Sequence, residues 1–288
     1  MALTGQSNIS AFRPNLPLIL SAAKQQGYYT LVDGAALAST SRISLSDHLN
    51  GQVDALATSF YKLFGYPTGV GALIARKEFL QKLKKPWFAG GTVEVVAFPS
   101  TVTETKVAWE RFEEGTLNYA SLTCIPAGLE MLKRLISGPT PVLPLRLGLL
   151  HQWLHDALEG IKHSNGTPVV KVLTAHRESV DMGYILSVTF HDSTGTRIQS
   201  AEVSQRAATV GISLRTGCGC NPGAAIGLLG LRQQFQESIK DALALVSGLS
   251  DVKEYYEQEY GVVRLSLGLV SDFRDVWKVE RFVKEFVE

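Results

Sequence analysis

The stretch LATSFYKLFGYPTGVGALIA, from Leu56 to Ala75, decides how the first half of the chain folds. VDALATSF before it and VGALIAR at its end are apolar runs of strand length, bounded by turn residues. The segment between them is only about ten residues, too short for a helical crossover, so the two strands are expected to be antiparallel neighbours at the edge of a mostly parallel sheet. This leaves Lys62 in a loop at a strand's end. A lysine among apolar and aromatic residues ordinarily packs its stem and keeps its ammonium in water. The Gly-x-Gly of GYPTGVGALIA opens a strand and not a helix, so it reads as a turn rather than a nucleotide loop.

Upstream, YYTLVDGAA gives a strand that ends at Asp33, and SLSDHLNGQ a short turn or helix. Downstream, the texture changes. TPVLPLRLGLLHQWLHDALEGIKH predicts one long amphipathic helix, PVVKVLT and YILSVTFH strands, SAEVSQRAATVG a helix, and ISLRTG a strand. A helix around LRQQFQESIKDALALVSG and a strand in GVVRLSLGLV follow, and a last helix starts near Ser271 and Asp272, both good caps. Prolines 139, 141 and 144 mark a boundary near 138–144. The expected organisation is α/β: residues 1–140 as part of a large domain with a mixed, mostly parallel sheet, and 141–288 as a smaller α+β domain.

With 288 residues, 45% of them hydrophobic, the chain has enough apolar surface for a sizeable core. A net charge of +1 gives no basis for binding nucleic acid or an anionic membrane, so a small molecule or a protein is the expected partner. No apolar run reaches the eighteen or so residues of a membrane span, and MALTGQSNIS lacks the regions of a signal peptide; a cytoplasmic location is expected. Three cysteines, Cys124, Cys218 and Cys220, do not make a disulfide framework. Cys124 reads as core. His151, His155, His163, His176 and His191 read as surface residues without ligand spacing, no motif assigns a role to His48, and KKPW (84–87) reads as a solvated basic patch.

Asp33 ends an apolar strand and Lys62 follows 29 residues later at the end of the next, so their strand ends can meet in one crevice. Two readings fit. One is a structural ion pair, which makes a carboxylate tolerable there. The other is pyridoxal 5'-phosphate, with the lysine bonded to the aldehyde and the aspartate holding the pyridine nitrogen protonated. Closely spaced cysteines also fit half of a zinc site, but neither a second pair nor a suitable histidine pair accompanies them, so no metal is expected. Taken alone, Arg264 fits a surface charge at a strand end.

LVDGAA, TSFYKLFGYPTGVGALIAR, FAGGT, RFEEGT and LRTGCGCNPGA, in that order, resemble class V aminotransferases of the cysteine desulfurase type. More narrowly, SFYKLFGYPTGVGAL and RTGCGCNPGA resemble the desulfurase-like domain of molybdenum cofactor sulfurases, where Tyr61 stands in place of the histidine usual in other desulfurases. The resemblance runs from Ser7 to about Glu288 and implies the fold of PLP-dependent transferases of type I. It makes Lys62 the Schiff-base lysine, Asp33 the partner of the pyridinium nitrogen and Ser59 a donor to the cofactor phosphate. Thr116 would contact the phosphate from a neighbouring subunit, which implies a homodimer. Asn8 would lie near the phenolic oxygen of the cofactor and the substrate carboxylate, and Ala36 replaces a polar contact. Cys220, five residues after Arg215, would be the nucleophile that takes sulfur from L-cysteine as a persulfide, with glycines letting its loop swing and Cys218 accessory. Neighbouring Arg215 or a cationic cofactor would lower the pKa of that thiol, and Arg264 would grip the substrate carboxylate with its planar fork.

The implied activity is a PLP-dependent cysteine desulfurase-like sulfur transfer, with molybdenum cofactor or its carrier as acceptor. Against that pattern the chain begins inside the large domain, without the loop that cradles the phosphate, and ends before the domain that holds molybdenum cofactor. A truncated fragment, or a split protein completed by a partner, is therefore expected. Two other functions stay open: a non-catalytic paralogue that serves as a dimer partner, and a generic class V aminotransferase.

Overall fold

The computed structural model of the chain describes residues 1–46, 49, 51–85, 87, 89–97, 101–104, 107–137, 141–175, 181–233 and 260–288. His48, His176, part of the proline-marked boundary and most of the helix expected around LRQQFQESIKDALALVSG lie outside the described residues. The chain divides into two compact units: Met1–Gly5 with Asn15–Gly138, and Gln6–Pro14 with Pro139–Glu288.

The first unit is built on a four-stranded sheet in the order β1 (Ala2–Thr4), β2 (Leu31–Asp33), β3 (Ala55–Ser59), β4 (Gly71–Ala75). The first three strands are parallel and β4 runs antiparallel to β3, as the short connection requires. Between β1 and β2 lies α1 (Leu16–Gln25), whose Asn15 cap accepts from the Leu18 amide at 3.2 Å. Leu16 and Leu20 of that helix pack on Val32, Val53 and Leu56 to form the unit's core. After β3 come α2 (Phe60–Phe64), α3 (Lys77–Lys82), a ribbon of β5 (Val93–Ala97) and β6 (Thr101–Glu104), then α4 (Tyr119–Leu122) and α5 (Ile125–Ile136).

The second unit packs α6 (Val142–Gly160), α7 (Ser200–Thr209) and α9 (Phe273–Lys284) on an antiparallel sheet of order β10-β11-β8-β7, with β9 (Arg197–Ile198) also on β8. Its strands are β7 (Val170–Val172), β8 (Ile185–His191), β10 (Arg215–Gly217) and β11 (Val262–Ser266), and α8 (Pro222–Leu229) follows β10. A capping box between Asp272 and Asp275 starts α9, which is the signal legible at Ser271 and Asp272. Leu186, Val188 and Phe190 of β8 join Leu154, Leu158, Phe282 and Val283 in the core, each buried side chain contributing roughly 1.5–3 kcal/mol. Ser187, on the opposite face of β8, donates to the Ile9 carbonyl at 2.6 Å and so ties residues 6–14 to this sheet. No helix among the described residues is long and apolar enough to cross a membrane.

Candidate active site

In the first unit the site residues gather at the carboxyl ends of two neighbouring parallel strands, the position where open α/β sheets bind ligands. Asp33 closes β2 in register with Ala57 of β3, and the next amide, Gly34, donates to the Ala57 carbonyl at 2.8 Å. Two residues further Ser59 ends β3, and α2 begins at once. Lys62 therefore stands on a one-turn helix and not in a loop. Phe60 and Leu63 are buried three residues apart, the spacing of one helical face, while Tyr61 and Lys62 point outward. The glycines and proline after Lys62 then have a clear use. Gly65, at φ 84°, stops the helix, and the chain turns back so that Val70 accepts from the Phe60 amide and Gly71 pairs with Ser59. A Cβ on Gly71 would lie 2.6 Å from the Thr58 carbonyl oxygen, so only glycine fits.

Lys62 and Asp33 are both exposed, and neither forms an ion pair among the described residues. The Lys62 Nζ lies 5.9 Å from the centre of the Tyr61 ring. Asp33 uses Oδ1 to accept from the Ala35 amide at 2.9 Å, which fixes its rotamer and leaves its charge uncompensated. This excludes the structural ion pair as the reason for either residue. The Ser59 hydroxyl makes no capping bond to α2. Thr116 is exposed, in a segment anchored just upstream: Glu114 pairs with Lys85 at 3.4 Å and accepts from the Trp87 indole, and Arg111 donates to the Leu83 carbonyl at 3.1 Å. The basic KKPW patch is thus partly tied down, its Lys85 side chain only 8% exposed.

In the second unit β10 and β11 pair Arg215 directly opposite Arg264, so both arginines share one face of the sheet, the face that also carries Ser187. Arg264 donates through Nη1 to the Asn8 carbonyl at 3.0 Å; Arg215 is exposed. Beyond β10 the chain reverses through Cys218, Gly219, Cys220 and Asn221, closed by the Asn221 amide on the Cys218 carbonyl at 2.9 Å. Gly219 and Cys220 have φ of 55° and 61°, the signature of a type I′ turn. Cys220 is exposed at its apex, while Cys218 is half-buried with Sγ 3.6 Å from the Tyr260 carbonyl. Gly219 serves the left-handed conformation of this closed turn. Asn8 reaches this turn through its side chain, Nδ2 donating to the Gly219 carbonyl at 2.5 Å.

Asn221 is the residue that sequence reasoning overlooked. It accepts from the Asn8-independent Ala224 amide at 3.2 Å to cap α8 and donates to Asn8 Oδ1 at 3.1 Å. Asparagine before Pro-Gly at the start of an apolar run was the available signal. Two expectations about burial are corrected. His151, His155 and His163 are buried, because α6 turns both of its histidines inward and His163 donates to the His191 carbonyl at 3.0 Å while accepting from the Glu288 amide. Cys124 is exposed, at the residue that precedes α5. Among the described residues no group of three or more His, Cys, Asp or Glu is placed to hold a metal ion.

Deeper in the first unit, Asp54 fixes the entry of β3 beside β2. Its carboxylate accepts from Lys24 at 2.6 Å and from the buried Thr30 amide at 2.7 Å. Burial acts to raise its pKa, but the Lys24 ammonium and the Thr30 amide and hydroxyl outweigh that, holding the carboxyl below its ordinary range.

Comparison with known proteins follows the same lines. Residues 1–279 match the family described as aminotransferase class-V. The chain is 32% identical over 266 residues to a molybdenum cofactor sulfurase of Homo sapiens, covering 89% of this chain and 28% of that protein. It is likewise 32% identical over 291 residues to one of Caenorhabditis elegans, covering 98% and 39%. It thus spans about a third of the length of these relatives. Among solved structures, the cysteine desulfurase CsdA of Escherichia coli superposes with a TM-score of 0.72 at 21% identity, covering 99% of this chain and 58% of that one. A C-DES mutant with glycine covalently linked to its PLP cofactor gives 0.67 at 17%, covering 99% and 60%.

Proposed function

Because the chain belongs to the class-V aminotransferase family, we propose that it is the desulfurase portion of a pyridoxal-phosphate-dependent sulfurtransferase, taking sulfur from L-cysteine onto Cys220 for delivery to molybdenum cofactor in the cytoplasm. Its fold is that of PLP-dependent transferases of type I. The observation that carries the reading is the pair of opposite charges, Asp33 at the end of β2 and Lys62 on the helix that directly follows the neighbouring parallel strand β3, neither of them spent on an ion pair among the described residues. With the unused hydroxyl of Ser59 between them in the chain, they are the donor set that this cofactor needs. The name shared by the sulfurase relatives supports the choice of acceptor.

When bound, pyridoxal phosphate supplies an electron sink for the pair left on the substrate Cα. Lys62 would provide the amine that holds the cofactor and, once released from it, would carry the Cα proton of the substrate to the product. Asp33 would be the carboxylate that faces the ring nitrogen and favours its protonated form. Ser59 donates to the phosphate, and Thr116 serves the phosphate of a second copy, making the working unit a homodimer. Arg264, with Arg215 opposite it, binds the substrate carboxylate, and Asn8 borders the same substrate. The Cys220 thiolate attacks the substrate sulfur: the S–S bond forms, the Cβ–S bond breaks with its electron pair returning to carbon, and protonation releases alanine, leaving a persulfide.

The test is direct. Purified protein incubated with pyridoxal phosphate is expected to develop a visible absorbance band that Lys62→Ala abolishes, and with L-cysteine to yield alanine and a persulfide mapped to Cys220. No band in the unaltered protein would refute the cofactor assignment, and alanine release unaffected by Cys220→Ser would refute the nucleophile.

A further inference from the structure

The turn that presents Cys220 is held from outside itself. A cysteine at φ 61° is in a conformation that L-residues other than glycine resist, so the turn needs external contacts to keep it. One side chain supplies them on both sides of Cys220. Asn8 Nδ2 donates to the Gly219 carbonyl at 2.5 Å, and Asn8 Oδ1 accepts from Asn221 Nδ2 at 3.1 Å. The orientation of both amides is fixed by their other bonds. Asn221 must face α8 with its oxygen, where it accepts from Ala224, so its nitrogen is turned to Asn8. The Asn8 backbone is held by Arg264 Nη1 on its carbonyl at 3.0 Å and by Ser187 on the carbonyl of Ile9 at 2.6 Å. The face of the sheet that carries the two arginines is thereby linked to the turn by a run of hydrogen bonds: Arg264, Asn8, Gly219.

We propose that Asn8 is a positioning residue, a clasp that fixes the direction of the Cys220 thiol by bridging Gly219 and Asn221. The inference rests on the proposed function only in taking Cys220 as the nucleophile; the clasp belongs to the folded chain with or without cofactor. A nucleophile that accepts sulfur must meet the substrate along one line of approach, and a strained turn without its clasp would sample other directions.

The experiment compares Asn8→Ala and Asn221→Asp with the unaltered protein. The second variant keeps an oxygen that caps α8 and replaces the N–H given to Asn8 with a carboxylate oxygen, which cannot donate to Asn8 Oδ1 and repels it. Hydrogen exchange, read without added pyridoxal phosphate, is expected to show protection of the Asn221 amide falling about tenfold in both, with the Ala225 amide inside α8 unchanged in Asn221→Asp. With pyridoxal phosphate and L-cysteine, Asn221→Asp is expected to lower kcat for persulfide formation about tenfold at constant KM, a split that a merely structural role would not produce. Unchanged protection of the Asn221 amide in the folded variants overturns the clasp. If Asn8→Ala does not fold, Asn221→Asp decides alone. Lost protection in a protein that forms no cofactor band would uphold the clasp while refuting the proposed function.

Discussion

Removing the carboxylate of Asp54 should loosen the base on which Asp33 and Lys62 stand. Asp54 is 4% exposed and accepts from the Thr30 amide, the Thr30 hydroxyl and Lys24. In Asp54→Ala the Thr30 amide, at a residue with 0% exposure, loses its acceptor, at a cost of roughly 1–3 kcal/mol. The Thr30 hydroxyl keeps the Gln52 carbonyl at 3.1 Å, and Lys24, with a side chain 34% exposed, returns to water, so the lost ion pair adds only about 0–1 kcal/mol. The sum is about 3 kcal/mol, on the order of a hundredfold in the folding constant. Asp54→Asn retains an acceptor for Thr30 and loses the charge, so its deficit should be smaller and should depend on pH. The folded carboxyl titrates below its ordinary value of 3.8, so its contribution is complete above 3.8 and is lost as pH falls through the depressed folded value. Urea unfolding of the three proteins at neutral pH and across the acid range measures both effects. A deficit of Asp54→Asn that stays constant down to the most acid pH at which the protein folds would refute the charge argument. No loss in Asp54→Ala would refute the whole account.

Asp33→Asn keeps the acceptor used by the Ala35 amide and removes only the charge, so stability should hold within about 0.5 kcal/mol while alanine formation falls about a hundredfold or more, read by denaturation and by product assay. At the apex of the turn, Cys220→Gly should be more stable than Cys220→Ala by about 1 kcal/mol in chemical unfolding, because glycine accepts φ 61° without strain. Gly71→Ala places a methyl 2.6 Å from the Thr58 carbonyl and should destabilise by about 1–3 kcal/mol, measured as a lower midpoint of thermal unfolding.

Much of the architecture is legible in the sequence because it follows from period and length. The short gap between VDALATSF and VGALIAR forces β3 and β4 to be antiparallel, and Asp272 announces α9 as a cap. Lys62 shows where local reading stops. One turn of helix needs only Phe60 and Leu63 buried together, a pattern too brief to separate from a strand's end. The histidines of α6 are not placed by the sequence because that helix is apolar on both sides, with Leu145 and Leu149 exposed while His151 and His155 face inward; periodicity cannot say which side meets the sheet. The motifs name Asp33, Lys62 and Cys220, but no motif reveals that Asn8 and Asn221 address each other across 213 residues, since such a bond exists only after the sheet has formed.

Residues 6–14 interrupt the first unit to join the second, and this has a consequence for anyone who wishes to cut the gene. No single stretch of codons encodes either half. A clone starting at Pro139 would lack the nine-residue strap that meets Ser187, Arg264 and Gly219, and a synthetic peptide of that strap, added back, is the natural reagent to restore them.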